Sequence, residues 1–132
     1  MARREEYERS RRLEEIAGKL IESEPKLGSI GREGIRIGYQ YSNQKKLCQG
    51  KTKYADTMVV REKLKEFLPI DFIITFYEPN CAALDDEHLS RVMYHELLHV
   101  GFDGLGRFWV APHDVEDFRE CIERWGLDWL WS

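Results

Sequence analysis

Apolar residues recur every third or fourth position in three segments of the chain, which is the spacing of one face of an α-helix. The first segment runs from residue 3 to about residue 23 and is highly charged between its apolar positions. The second runs from about residue 85 to residue 100, with Asp85 as a favourable N-cap and Gly101 as a favourable stop. The third covers residues 113–126. The pattern therefore predicts three helices, of which the first is amphipathic.

Other segments alternate between apolar and polar residues, or are continuously apolar, as β-strands are. Residues 35–42 alternate, and residues 71–79 form an apolar run rich in β-branched and aromatic residues. Residues 54–60 predict a turn or short strand, followed by a short helix that ends before Pro69. Residues 101–112 are rich in glycine and predict a loop, within which the sequence FWV can form a short strand.

The order helix, strands, helix, loop, helix is typical of an α+β domain. We expect a small mixed or antiparallel sheet packed against the helix of residues 85–100 and the flanking helices. The chain of 132 residues has no internal repeat and no low-complexity linker, so we interpret residues 1–132 as one domain. Within it, residues 1–25 carry the N-terminal amphipathic helix and residues 34–126 form the core.

Composition and charge narrow the class of protein. A hydrophobic content of 42% and a charged content of 33% are typical of a globular chain and not of a disordered one. The net charge of −4 gives no electrostatic reason to expect nucleic acid as a partner, and no apolar run has the length of a membrane span. The charged start lacks the apolar segment of a secretory signal. The three cysteines are scattered, so we expect a cytoplasmic protein whose cysteines are small buried residues.

The second predicted helix contains the sequence HELLH, residues 95–99. Positions i and i+4 of a helix lie on one face, so His95 and His99 could bind one metal ion. Glu96 would stand beside that ion, where a general base for a bound water is needed. The alternative is an ordinary buried helix with a pair of core histidines. An unpaired carboxylate in the apolar segment YHELLHV is costly, which favours a zinc site.

A third metal ligand is expected after the loop. His113 is the first choice, because a return loop from His99 can bring it beneath the first two histidines. Asp114 is an alternative ligand, or a carboxylate that accepts the ring N–H of a liganding histidine. Asp103 is either such a carboxylate or a loop cap. Acidic residues farther along also suit a carboxylate ligand, unless they are the solvated face of the last helix: Glu116, Asp117 and Glu120.

The sequence HELLH, followed by a glycine-containing loop and HDVEDF, resembles the phage metallopeptidase family, as do the upstream GKTKYADTMV and DFIITFYEP. The resemblance covers about residues 34–125. It implies a zincin-like fold and the chemistry of minimal zinc peptidases such as the SprT-like proteins, in which a downstream histidine, here His113, completes the metal set. Phe102 and Leu105 stand where metzincins have glycine and histidine, and the four-cysteine ribbon of some SprT-like proteins is absent. A DNA-repair role of the SprT kind is therefore not expected.

The predicted reaction is hydrolysis of peptide bonds by an enzyme of phage or prophage type. One zinc ion held by His95, His99 and His113 would activate a water, and Glu96 would take its proton. The tetrahedral intermediate needs a further donor, and the candidates besides a backbone N–H are Tyr94, Tyr54, Tyr77 and Arg107. The strand at residues 71–78 could offer an edge to an extended peptide or protein substrate. The alternatives are a hydrolase of a non-protein amide, and a zinc-binding phage or prophage module that binds a partner without cutting it.

Overall fold

The computed structural model of the chain describes residues 4–113, 121 and 124–125. Its helices and strands, in chain order, are β1 Tyr7–Arg9, α1 Arg11–Ser23, α2 Gly28–Arg32, β2 Ile37–Ser42, β3 Leu47–Cys48, β4 Lys51–Thr52, β5 Ala55–Val59, β6 Phe72–Tyr77, α3 Glu78–Cys81, α4 Asp86–Leu97, β7 Val100–Phe102 and β8 Phe108–Val110. Single 3-10 turns lie at Pro25–Leu27 and Glu62–Leu64. Helices and small sheets are mixed along the chain, which confirms the α+β class.

The largest sheet in the described residues has the strand order β1-β2-β6-β5. Strands β2 and β6 run parallel, whereas β1 and β5 pair antiparallel with their neighbours, so the sheet is mixed as expected. Strand β6 lies between β2 and β5. The expectation that residues 71–78 offer a free edge is therefore wrong, because an apolar strand of this kind is best buried between two others. The outer strand on this side of the sheet is β5.

One face of this sheet packs against helices α1 and α4. Phe72, Ile74 and Phe76 of β6 are fully buried on that face, among side chains of the two helices that include Leu13, Ala17, Met93 and Leu97. Side chains alternate across a strand, and the register pairs Thr57 with Ile74. Thr57 therefore faces the same side as the core, toward α4, and the sheet carries this polar side chain to the end of that helix.

The N-terminal helix is shorter than predicted. Residues 7–9 form strand β1, which pairs with the outer side of β2, and helix α1 begins only after Ser10. The Ser10 hydroxyl accepts a hydrogen bond from the N–H of Leu13 at 3.1 Å, as an N-cap does. The helical spacing predicted from residue 3 is wrong for this part, because the cap and the open side of β2 together favour a strand before Ser10.

Helix α4 begins as predicted, with the Asp85 side chain accepting from the N–H of His88 at 2.8 Å. It ends earlier than predicted, at Leu97, and Gly101 is not its stop. Val100–Phe102 instead pairs antiparallel with Phe108–Val110, which confirms the short FWV strand and forms the hairpin β7–β8. The β-branched and aromatic side chains of these two segments favour a strand over another helical turn.

The indole of Trp109 lies across Gly101 in this hairpin. A Cβ on Gly101 would lie 2.7 Å from Cδ1 and Cε2 of the indole, and closer still to Nε1. Gly101 therefore serves the packing of Trp109.

A buried carboxylate joins the start of β6 to the preceding loop. Asp71 is 4% exposed, accepts from the N–H of Arg36 at 2.9 Å, and has the Lys65 ammonium at 3.2 Å. Burial alone would raise the pKa of Asp71, but hydrogen bonds from Arg36 and Lys65 outweigh it and hold the pKa below its usual value. Asp71 is therefore ionised and paired in the folded chain.

The remaining expectations are met in part. The segment at residues 54–60 is strand β5, and a single 3-10 turn stands where a short helix was predicted before Pro69. The cysteines were expected to be buried, which is correct for Cys81 and Cys121 and wrong for Cys48, which is exposed. Of the last predicted helix, His113 is not helical, Cys121, Arg124 and Trp125 are helical, and its other residues lie outside the described part of the chain. Among the described residues, no helix combines the length and apolar character that a membrane span requires.

Candidate metal centre

The end of α4 brings two histidines together. His95 stands in the last turn of the helix and is 9% exposed. His99 lies just beyond the helix, in a turn where its N–H donates to the carbonyl of Glu96 at 3.0 Å. The two rings have their centroids 5.2 Å apart. The second histidine is thus delivered by a tightened turn and not by a continuing helix, but it still lies beside the first.

The backbone after strand β8 fixes the position of His99. The N–H of Ala111 donates to the carbonyl of His99 at 2.7 Å, and the carbonyl of Ala111 is 2.6 Å from Nδ1 of the imidazole. A carbonyl only accepts, so Nδ1 carries the proton of the neutral ring and Nε2 is the nitrogen with the metal-binding lone pair. Sequence reasoning missed this carbonyl, since a backbone group leaves no mark on residue type.

The same stretch of chain brings His113 to the other two histidines. Nε2 of His113 lies 3.0 Å from Nε2 of His95, and the ring centroid of His113 is 4.6 Å from that of His99. Each of the three residues offers one ligand nitrogen, and these atoms all lie within 4.8 Å of one another. Residues His95, His99 and His113, chosen from the sequence, therefore converge in the structure.

The donor set fits one divalent metal ion. With Zn–N bonds of about 2.0–2.1 Å, two nitrogens of a tetrahedral zinc site lie about 3.3 Å apart. The Nε2 atoms of His95 and His113 are already at 3.0 Å, close to that separation. Within the described residues the set comprises three imidazoles, which is the number of protein ligands that catalytic zinc sites use.

Glu96 lies beside this group and is 5% exposed. Its Oε1 accepts a hydrogen bond from the Thr57 hydroxyl at 2.8 Å, and its Oε2 is 4.0 Å from Nε2 of His95. Burial raises the pKa of Glu96, while the nearby His95 and the hydrogen bond from Thr57 act in the opposite direction. The carboxylate thus has one oxygen held by the sheet and the other on the side of the histidines.

Thr57 is a candidate site residue that sequence reasoning missed. Its hydroxyl is also 3.1 Å from the backbone carbonyl of Glu96, so Thr57 contacts Glu96 at two points. Nothing in the local sequence ADTMV distinguishes this threonine from an ordinary strand residue. The signal that could have found it is the pairing of β5 with β6, which turns position 57 toward α4.

Other predicted residues are placed away from the three imidazoles. Asp103 accepts from the N–H groups of Leu105 and Arg107 and from the Arg107 side chain, so it caps the hairpin loop, which was one of its two predicted roles. The Tyr77 hydroxyl donates to Asp56 at 2.5 Å. Asp56 alternates with Thr57 along β5, so this contact lies on the opposite face of the sheet.

The other two tyrosines have different surroundings. Tyr94 is buried against Trp125, with the Arg124 guanidinium over its ring. Tyr54 stands just before β5, and its carbonyl accepts from the N–H of Tyr77. Tyr54 lies three residues before Thr57, outside strand β5, and packs against the core, so it stays among the candidate donors. The alternative ligands lie outside the described residues: Asp114, Glu116, Asp117 and Glu120.

Three converging imidazoles beside a buried carboxylate, in a small α+β fold, fit a metal ion in the way that the sites of metallohydrolases do. A family model described as "Putative phage metallopeptidase" matches residues 5–131, and the chain belongs to that family. The family predicted from the sequence is confirmed, over a longer stretch than the motifs covered. Searches of curated proteins and of solved structures found no match.

Proposed function

We propose that this chain is a zinc-dependent peptidase of phage or prophage type, with Glu96 as the general base. The observation that carries the proposal is the convergence of His95, His99 and His113 next to a buried carboxylate that is not itself one of the three ligands. A structural metal site has no use for such a carboxylate, and burying it is costly. A hydrolytic site needs it, because a water must lose a proton as it attacks.

The three histidines would hold the metal through Nε2, with His99 oriented by the carbonyl of Ala111. Zinc is the metal proposed, since three imidazoles and an open position suit it. When bound, it would supply the Lewis acidity that makes a water nucleophilic at neutral pH.

The Glu96 side chain has a defined geometry for its part of the reaction. Oε1 is held by Thr57, which leaves Oε2, on the side of His95, as the oxygen that accepts the proton of the attacking water. The same oxygen can then deliver the proton to the leaving amine of the cleaved peptide. Thr57 acts as a positioning residue, because it touches the base and not the reacting atoms.

The substrate would be a peptide or an unfolded protein segment. Strand β5 is the outer strand of the sheet and carries Thr57 to the base, so it replaces residues 71–78 as the strand on which an extended peptide would lie. Tyr54, just before β5, is the proposed side-chain donor to the tetrahedral intermediate. The scattered cysteines support a cytoplasmic location. Residues 1–132 would form one domain.

Metal content tests the ligands. We expect about one zinc per chain in the wild type and much less in His113→Ala. His88→Ala is the matched control, because His88 stands in the first turn of the same helix next to Asp85, and it should keep the metal. No zinc in the wild type, with folding unaffected by a chelator, would contradict the metal site.

Cleavage of an unfolded protein such as casein tests the base. Glu96→Gln keeps an oxygen for the Thr57 hydrogen bond but cannot take a proton, so it should retain zinc and lose at least about a hundredfold in rate. Glu87→Gln is the matched control on the exposed face of α4. Zinc retained by both proteins, with no cleavage by the wild type of any peptide offered, would favour the zinc-binding module over the enzyme.

A further inference from the structure

We propose that a groove beside the metal centre binds a large apolar side chain of the substrate and rejects a cationic one. This hairpin groove is lined by Val59, Arg61, Glu62, Arg107, Phe108 and Trp109 and has a volume of about 550 Å³. The inference deepens the proposed function, on which it rests, by naming a substrate class.

Both walls of the hairpin groove are continuous with the site. On β5, Val59 follows Thr57 by two residues on the same face, which is about 6.6 Å along a strand. On the other wall, Trp109 precedes Ala111 by two residues, and Ala111 is bonded twice to His99. A peptide whose scissile bond lies at Glu96 therefore has a side chain within about two residues of that bond at the groove.

The apolar part of the lining is formed by Val59, Phe108 and Trp109, and it is partly open to water. Trp109 is 43% exposed, and three atoms of its indole lie close to Gly101. The Phe108 ring packs edge-to-face on the buried Phe72, with centroids 6.0 Å apart. A partly exposed indole that packs on the hairpin offers a large apolar area to a side chain of the substrate.

The charges around the groove determine how it responds to a charged side chain of the substrate. Glu62 is paired with Lys65 at 3.1 Å, and the Arg107 guanidinium is paired with Asp103 at 2.5 Å. Arg61 forms no ion pair with any residue that the structure describes, and it stands exposed at the rim. The unbalanced charge is positive, so a lysine or arginine side chain is repelled there.

A binding measurement tests the groove without any cleavage. N-acetyl-phenylalaninamide and N-acetyl-lysinamide are added in turn to the isotope-labelled, zinc-loaded protein, and amide chemical shifts are followed by NMR. We expect the aromatic compound to shift the amides of residues 59–62 and 106–109 at least about threefold more than the lysine compound. Trp109→Ala should abolish this difference, and Leu105→Ala, at the exposed tip of the same hairpin, should preserve it. Equal shifts with both compounds, or shifts elsewhere only, would overturn the proposal.

Cleavage profiling separates this inference from the proposed function. In a library of proteome-derived peptides, cut sites should be enriched in Phe, Leu or Trp and depleted in Lys and Arg at one position within two residues of the cut bond. Trp109→Ala should lower the kcat/KM preference for Phe over Ala at that position about tenfold. Cleavage without such a preference would overturn the groove and leave the peptidase standing. A groove that binds the aromatic compound in a protein that cuts nothing supports the groove and overturns the peptidase.

Discussion

Gly101→Ala tests whether the Trp109 indole occupies the position described above. Gly101 lies in strand β7 with no left-handed backbone, so alanine there adds no conformational strain. The added methyl would stand 2.7 Å from two indole carbons, about 0.8 Å inside an ordinary carbon–carbon contact of roughly 3.5 Å. The indole must therefore shift or leave.

The loss of folding free energy can be estimated for two cases, a small shift of the indole and its complete expulsion. A small shift within a packed contact costs about 1–3 kcal/mol. Complete expulsion loses the buried part of a side chain that is 43% exposed. Taking roughly 250 Å² for a tryptophan, the loss is about 140 Å², or about 3.5 kcal/mol at 25 cal/mol per Å². We expect Gly101→Ala to lower the free energy of unfolding by about 1–3 kcal/mol.

A double-mutant cycle in urea isolates the contact. In the Trp109→Ala background the methyl meets no indole, and alanine should be better than glycine in a strand by about 0.5–1 kcal/mol. The sign of the Gly101→Ala effect should therefore reverse, which gives a coupling energy of at least about 1.5 kcal/mol. Equal destabilisation by Gly101→Ala in both backgrounds would refute the packing of Trp109 on Gly101. Gly104→Ala, in the hairpin loop with open space around it, is the matched control.

Three further predictions concern stability and reactivity. Asp71→Asn should lower the free energy of unfolding at pH 7 by about 1–3 kcal/mol, measured in urea. The pKa of Asp71 is lower in the folded than in the unfolded chain, so its carboxylate stabilises the fold above the unfolded pKa of about 3.9. The difference in free energy of unfolding between wild type and variant should therefore shrink as the pH falls from about 3.9 through the folded pKa. A difference that does not depend on pH would contradict the pairing. Ser10→Ala should cost about 1 kcal/mol by loss of the helix cap, and no loss would argue against the observed start of the helix. Iodoacetamide should label Cys48 in the folded chain but not the buried Cys81, whose pKa burial raises to about 12, nor Cys121, as read by mass spectrometry; early labelling of either would contradict the fold.

Parts of the fold could be predicted because their signals are local. The Asp85 cap, the apolar run of β6 and the FWV strand each depend on residues next to one another in sequence. The start of α1 could not be placed, since Tyr7–Arg9 forms a strand only because the side of β2 is open to it. Whether a strand is inner or outer is likewise decided by its neighbours, so the sequence left open whether residues 71–78 have a free edge, and the structure shows that they do not.

The candidate site divides along the same line. The H-E-x-x-H spacing and the return loop to His113 can be recognised in a short stretch of sequence, and the three histidines do converge. The contacts that hold Glu96 and His99 in place cannot be recognised in that stretch. Thr57 approaches Glu96 from another strand, and the carbonyl that orients His99 belongs to an alanine. Residue type alone carries no sign of either contact.

The two halves of this arrangement differ in how they can assemble during folding. All three histidines fall within residues 95–113, so helix α4 and the hairpin after it can bring them together through contacts of low sequence separation, which form early. The Thr57 hydroxyl reaches Glu96 across 39 residues, a contact that awaits the pairing of β5 with β6. A chain in which the sheet is incomplete would therefore still be able to capture a metal ion while its carboxylate has no fixed direction. For the proposed enzyme, capture of the ion would therefore precede the fixing of the Glu96 side chain during folding.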